Sequence, residues 1–285
     1  VNAGWNVGET TIPLDRAVMV GILNVTPDSF SDGGSFEDPE AAVAHGIELS
    51  KAGAGIVDVG GESTRPGALP VDETTELERV LPVVSTLVSE GVLVSIDTMK
   101  PRVAEAAIEA GARIVNDVGG LRNPEMIRLV ADAGVGLVVM HMQGAPSTMQ
   151  EAPRYSDVVG EVSSFLEARA ALAIENGVDA GRIVIDPGIG FGKAAEHNLR
   201  ILAQLPDICE IGYPVMVGTS RKSFLGRITG TEAPERRDLA TAVTVALAFE
   251  RGVRLFRVHD VSSSREAALV AGAIVGSSGS LSGSD

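Results

Sequence analysis

Asp97, Asn116 and Asp186 each stand where a short apolar run stops. Three such side chains reaching one apolar cavity need a ligand, because an unpaired buried carboxylate or amide is costly. Arg257 and His259 alternate along their run, so both project to one side of a strand. The segment Gly218-Thr-Ser-Arg-Lys-Ser-Phe-Leu-Gly226 follows another apolar run and opens a helix. Free backbone N–H groups and the helix dipole attract an anion there. Lys222 adds a cation or a donor for a ligand carbonyl, and Ser223 is placed to cap the helix. Net charge is −15, so a gathering of Arg and Lys points to an anionic ligand.

Other chemistries fail on spacing. Asp186-Pro-Gly-Ile-Gly-Phe-Gly-Lys193 looks like a phosphate loop, but Pro187 and Ala194 stand where a Walker loop needs Gly and Ser or Thr. Its glycines also miss the dinucleotide spacing, and fit sharp turns or close backbone approach instead. His141 and His259 raise the idea of a metal-dependent hydrolase. That barrel class needs His-x-His on its first strand, where this chain has Asn24 and Thr26. No His-Glu-x-x-His or cysteine cluster occurs either. His45 and His197 read as helix-surface residues, and Asp117 and Asp260 suit capping as well as catalysis. Cys209, the only cysteine, excludes an internal disulfide and fits a reducing cytoplasm; it reads as a buried spectator on the loop after Leu205.

The elements that must position these residues repeat eight times. Apolar runs at Val18–Val25, Ile56–Val59, Leu93–Ile96, Ile114–Val115, Leu137–Met140, Ile183–Ile185, Val215–Val217 and Leu255–Val258 all end in polar or charged residues. Between them lie helical periods, as at Leu77, Val80, Leu81, Val84, Leu87 and Val88. Pro39, Pro101 and Pro124 mark helix starts. Gly53, Gly91, Gly111, Gly134, Gly177 and Gly252 close helices before the next strand. Such alternation implies a parallel sheet with right-handed crossovers. Eight units favour an α/β fold of the closed (β/α)8 TIM-barrel type, with an open doubly wound sheet as the alternative. The barrel is expected over residues 1–276 as a single domain, with a Gly/Ser-rich, disordered tail at 277–285. Thr10–Pro13 is expected as a short strand plugging the barrel bottom.

At 285 residues and 45% hydrophobic, the chain can bury one large core. No apolar stretch reaches the length of a membrane span, and Val1–Arg16 carries no export-signal pattern. The acidic balance argues against nucleic acid or an anionic membrane as partner.

Two long polar loops make the chain recognisable. Asn24-Val-Thr-Pro-Asp-Ser-Phe-Ser-Asp-Gly-Gly34 and Gly60-Gly-Glu-Ser-Thr-Arg-Pro-Gly67 each carry Gly hinges and a residue suited to closing over a ligand, as lids do. Together with Ser95-Ile-Asp-Thr98, Asn116-Asp117, Met140-His-Met-Gln-Gly144, Asp186–Lys193, Ser220–Gly226 and Arg257-Val-His-Asp260, they resemble the dihydropteroate synthase family. The match is ordered and runs from the first strand to the eighth. That family joins p-aminobenzoate to a pterin bearing a pyrophosphate-activated hydroxymethyl group, in folate biosynthesis, and is the target of sulfonamides.

Carried over by position, the resemblance implies that Asp97, Asn116, Asp186 and Lys222 hold the pterin, Arg257 stacks on it and Met140 packs nearby. It gives the pyrophosphate to Asn24, Arg65, Arg257 and His259, with Mg2+ as cofactor on Asn24. It surrounds p-aminobenzoate with Phe30, Thr64, Pro66, Lys222 and Ser223. Asp32, Arg65, Lys222, Arg257 and His259 become the catalytic set. The fold rule alone would place a phosphate at the helix after the seventh strand; the resemblance places the p-aminobenzoate carboxylate there instead. It also implies a homodimer. After Asn116 the chain reads Asp-Val-Gly-Gly, where the family commonly has Ser or Thr, so that turn is expected to be slightly looser. A methyltetrahydrofolate–corrinoid methyltransferase shares a pterin-binding barrel but is not expected to carry the Arg65 loop or Ser220-Arg-Lys-Ser223. A noncatalytic pterin-binding paralogue is the non-enzyme alternative.

Overall fold

The structure, a computed structural model, describes residues 4–26, 39–63 and 67–280. A hairpin comes first, β1 (Gly4–Val7) against β2 (Thr10–Pro13). The repeating units follow as β3 (Val18–Asn24), α1 (Pro39–Lys51), β4 (Ile56–Gly60), α2 (Glu73–Ser89), β5 (Val94–Asp97), α3 (Pro101–Glu109), β6 (Ile114–Asp117) and α4 (Pro124–Ala133). The second half runs β7 (Gly136–Met140), α5 (Val158–Glu175), β8 (Ile183–Asp186), α6 (Ala195–Ala203), α7 (Leu205–Cys209), β9 (Met216–Val217), α8 (Ser223–Thr229), α9 (Asp238–Glu250), β10 (Leu255–Val258) and α10 (Val261–Ser280). Strands β3 to β10 are all parallel to their neighbours. A bridge between Ile185 and Val215, with Ile185 N–H donating to the Pro214 carbonyl at 3.0 Å, closes β8 on β9. The sheet is therefore a (β/α)8 barrel, as expected.

Period-two alternation sorts each strand into two faces. Val57, Val59, Ile96, Val115, Leu137, Val139, Ile183, Ile185 and Phe256 point outward into the apolar layer beneath the helices. The inward set is apolar at the strand starts: Val18, Val20, Ile56, Ile114, Val138, Val184, Met216 and Leu255 form a separate cluster with Trp5 and Val7. The hairpin thus plugs the barrel bottom. Trp5 is 1% exposed and its Nε1–H donates to the Arg182 carbonyl at 2.7 Å, just before β8. The strand at Thr10–Pro13 was expected; its partner Gly4–Val7, which supplies the plug's bulk, was not.

Turns follow the glycines. All six helix-closing glycines have left-handed φ, from 59° at Gly134 to 108° at Gly111, a region that a Cβ disfavours. α10 continues through Ser280, and residues 281–285 of the expected tail lie outside the described residues. Two local expectations need correction. Cys209 ends a short helix instead of lying on a loop, half-buried, with its Sγ 3.7 Å from the Arg251 carbonyl. Ser223 is the exposed first residue of α8 and makes no capping hydrogen bond; Lys222 occupies the cap position.

Candidate active site

The same alternation carries the inward side chains from apolar to polar toward the C-terminal rim, where barrel sites form. Asp58 follows Ile56 on β4, Asp97 follows Ser95 on β5, and Asn116 follows Ile114 on β6. Met140 follows Val138 on β7, Asp186 follows Val184 on β8, and Arg257 follows Leu255 on β10. Cross-strand register puts Gly60 beside Asp97, Asp97 beside Asn116, and Met140 beside Asp186.

Arg257 reaches across the barrel mouth. Its Nε–H donates to Asp58 Oδ2 at 2.6 Å and its Nη2–H to Asp97 Oδ2 at 2.5 Å. Burial opposes its charge, but Asp58 and Asp97 outweigh that and hold it more firmly protonated than a free guanidinium. Asn116 Nδ2–H also donates to Asp58 Oδ2, at 3.0 Å. A carboxylate cannot donate, so this contact assigns the amide orientation and leaves Asn116 Oδ1 on the other side. Asp58 Oδ1, Asp97 Oδ1 and Asn116 Oδ1 are all buried and lack a hydrogen-bond partner among the described residues. Burial raises Asp97 to about 7, with Arg257 opposing and Asp58, Glu76 and Asp117 adding to the rise.

The facing wall comes from the loops after β8 and β9. Asp186 is 4% exposed and its Oδ1 accepts from Gly188 N–H at 2.7 Å; burial raises its pKa. Lys222 Nζ hydrogen-bonds the Ile189 carbonyl and lies 4.5 Å over the Phe191 ring. Burial lowers Lys222 to about 7, with Asp186 opposing and Arg257 adding to the fall. The glycine-rich loop between them is braced from within. Lys193, 2% exposed, donates to the Gly188 and Phe191 carbonyls, each at 3.0 Å, and meets His141 Nδ1 at 2.8 Å. Burial, then Lys193, holds His141 near 3, so it is neutral at pH 7. Lys193 is thus a strut, a role the failed Walker match gave no means to assign. Arg221 has φ 58°, unusual for a side-chain-bearing residue, and is clamped by Asp238 through Nε at 2.7 Å and Nη2 at 2.8 Å.

Asn24 ends β3, and His259 follows β10, the strand that pairs with β3. Ser220 Oγ accepts the His259 backbone N–H at 3.1 Å and sits 2.9 Å from His259 Nδ1. With that hydroxyl accepting the main-chain proton, its own proton is available to Nδ1, which favours the tautomer with Nε2–H. Asp117 accepts from Gly119 and Leu121 N–H, both at 2.8 Å. These bonds pin the turn that was expected to be looser. Asp260 Oδ1 accepts from Ser263 N–H at 3.1 Å and so caps α10. His197 Nδ1 accepts from Ala194 N–H at 3.1 Å at the start of α6, and His45 is exposed on α1.

The structure therefore brings Asp97, Asn116, Met140, Asp186, Lys222 and Arg257 to one mouth. Phe30, Asp32, Thr64, Arg65 and Pro66 lie outside the described residues. Asp58 was missed. The signal was a carboxylate inside the apolar run Ile56-Val57-Asp58-Val59, two positions from an inward residue. Where the loop after β4 begins, Lys100 bridges Glu62 and Glu76, and Arg79 Nη1–H donates to the Gly61 carbonyl at 2.9 Å.

The family model for pterin binding enzymes matches residues 20–259. The dihydropteroate synthase of Mycobacterium leprae is 50% identical over 262 residues, covering 90% of this chain and 92% of that protein. The dihydropteroate synthase of Xanthomonas albilineans with 4-aminobenzoic acid superposes with a TM-score of 0.90 at 46% identity, covering 96% of this chain and 98% of that one. The same enzyme in complex with 7,8-dihydropteroate gives 0.87 at 44%, covering 95% and 98%. That of Yersinia pestis in a sulfonamide drug complex gives 0.89 at 37%, covering 97% and 99%.

Proposed function

The chain belongs to the pterin binding enzymes and, within them, to the dihydropteroate synthase family; on that premise we propose how its residues divide the reaction. It is a transferase: 6-hydroxymethyl-7,8-dihydropterin pyrophosphate and p-aminobenzoate condense to 7,8-dihydropteroate and pyrophosphate. The observation that carries this reading is the set of orphan acceptors. Asp58, Asp97 and Asn116, on three strands of one barrel, each leave a buried oxygen without a donor among the described residues, and an aminopyrimidinone edge is rich in N–H donors. Asp186 and Lys222 face them, the lysine as donor to a ring acceptor. The Arg257 guanidinium offers a flat cationic face for stacking on the ring.

Asn24, Arg65, Arg257 and His259 are proposed to take the pyrophosphate, and Asp32 to join the catalytic set. Arg257 offers a cation and the His259 Nε2–H a donor where charge builds on the departing oxygen. The dihydropterin ring can share the positive charge left on the methylene, which suits an SN1-like path. The aryl amine is neutral at pH 7 and attacks without a strong base. Phe30, Thr64, Pro66, Lys222 and Ser223 are proposed to surround p-aminobenzoate and orient that amine, and the loops after β3 and β4 to keep water from the cation. A sulfonamide, which shares the aniline and an acidic group, competes at the same place.

No group of three or more His, Cys, Asp or Glu able to hold a metal exists among the described residues. The donor set offers a single neutral amide oxygen, from Asn24 at the end of β3. Such a set fits a magnesium ion whose other ligands are phosphate oxygens and water, and no tighter protein-only site. Bound there, Mg2+ would neutralise charge on the leaving pyrophosphate.

A homodimer is proposed on the resemblance. It is supported by an apolar groove of about 540 Å3 between α6, α8 and α9, lined by Leu202, Phe224, Ile228, Leu239, Val243 and Leu247. Leu239 is 78% exposed, a large apolar side chain to leave in water. No helix among the described residues is long and apolar enough to cross a membrane, and the cytoplasm is the proposed location.

The test supplies the pterin pyrophosphate, p-aminobenzoate and Mg2+ and looks for dihydropteroate. Product must form, and Arg65→Ala should lower kcat/KM about 100-fold or more. No product at saturation sinks the assignment, methyl transfer to a cobalamin protein favours the corrinoid class, and pterin binding without turnover favours a noncatalytic paralogue. Full turnover by Arg65→Ala would remove that residue from the mechanism.

A further inference from the structure

Asp58 is 0% exposed, yet it lies on the floor of the mouth between the apolar plug and the rim. One of its oxygens, Oδ2, accepts both the Arg257 Nε–H at 2.6 Å and the Asn116 Nδ2–H at 3.0 Å. Those two donors come from strands on either side of β4 that do not touch it directly: β10 is beyond β3, and β6 is beyond β5. Burying a carboxylate this deeply is costly. The Arg257 guanidinium and the Asn116 amide offset that cost, and in doing so they are held in place by it.

We propose that Asp58 is the positioning residue of the pterin pocket. By holding Arg257 and Asn116 on one oxygen, it sets the plane of the guanidinium and turns the Asn116 carbonyl toward the ligand. The proposal rests on the pterin reading of the site. Without Asp58, nothing described near Asn116 distinguishes its two amide orientations, because Nδ2 makes no other hydrogen bond. A flipped amide would present N–H groups to the ligand's own N–H donors. Arg257 would keep Asp97 as partner through Nη2 but lose the second anchor, at Nε, that stops rotation about its long axis. Asp58 itself touches no reacting atom, so its effect is confined to what those two residues bind.

Binding of a pterin that lacks the pyrophosphate, followed by calorimetry, isolates this effect from leaving-group chemistry. Wild-type protein should bind it, and Asp58→Asn should bind it about tenfold or more weakly. In turnover, KM for the pterin pyrophosphate should rise, while KM for p-aminobenzoate stays within about twofold. Combining Asp58→Asn with Asn116→Ala should lose less than the product of the single losses, because one residue acts through the other. Circular dichroism and the urea midpoint check folding. Should Asp58→Asn not fold, the wild-type Asn116 side-chain amide is read by 15N NMR. It should exchange slowly with solvent and hold one proton in a charge-assisted hydrogen bond. Unchanged pterin affinity in a folded Asp58→Asn protein, strictly multiplicative losses, or a freely exchanging Asn116 amide would each overturn the positioning role and leave the pterin reading standing. Failure of the wild-type protein to bind the pterin would overturn both.

Discussion

Asp97 and Lys222 face the same mouth, and burial shifts them in opposite directions to the same place, about 7 for each. Between about 4, the ordinary Asp value, and about 7, folded Asp97 keeps a proton that the unfolded chain has released. Its contribution to stability therefore falls as pH rises through that window. Lys222 is the mirror case: from about 7 to about 10 the unfolded chain keeps a proton that the folded chain has lost. Its contribution rises with pH across that window. Together the two are least favourable to the ligand-free fold near neutrality, where a ligand offering donors to Asp97 and an acceptor to Lys222 relieves both. Urea unfolding from pH 4 to 10 tests this. The stability of Asp97→Asn relative to wild type should increase between pH 4 and 7 and then level. That of Lys222→Met should decrease between pH 7 and 10. Differences that do not move with pH would refute the burial argument.

At the scale of elements, the loops of the rim are braced against one another above the strands. The loop after β8 turns at Gly188 with φ 65°, where an added Cβ would sit 1.9 Å from the His141 carbonyl oxygen after β7. That oxygen is backbone and cannot step aside cheaply. Gly188→Ala should cost about 2 kcal/mol or more of stability in urea unfolding. It should also weaken pterin binding, since Asp186 accepts from Gly188 N–H. A variant with unchanged midpoint and affinity would show that the two loops move independently. The loop after β9 is tied to α9 in a similar way, through Arg221 and Asp238. The strap matters because α9 also carries Leu239 and Val243 on the exposed groove.

For the whole molecule, the exposed apolar groove over α6, α8 and α9 calls for a partner, and the proposed partner is a second copy. Light scattering on the wild-type chain should give twice the mass of 29.4 kDa, and Leu239→Asp combined with Val243→Asp should give a monomer. A wild-type monomer at micromolar concentration would refute the dimer. The barrel was legible because its evidence is local: eight apolar runs, helical periods between them, and glycines closing six of the helices. Asp97, Asn116 and Asp186 were legible because each ends or follows a run, Lys222 because it opens the helix after the seventh run, and Arg257 because it alternates with His259. Asp58 was overlooked because it sits inside its run, where the apolar neighbours Val57 and Val59 dominate the reading. The strand at Gly4–Val7 was overlooked because four residues with one aromatic carry too short a pattern. By itself, then, the chain determined the order of elements and which side chains face inward, because alternation and capping depend on neighbours only a few residues away. Only the tertiary structure decided which inward groups share a hydrogen bond. Arg257 meets Asp58 across 199 residues of chain, and Asn116 and Asp97 are joined to them by the closure and register of the barrel. Those contacts depend on how far each strand is displaced along its neighbours, a quantity that period two leaves open.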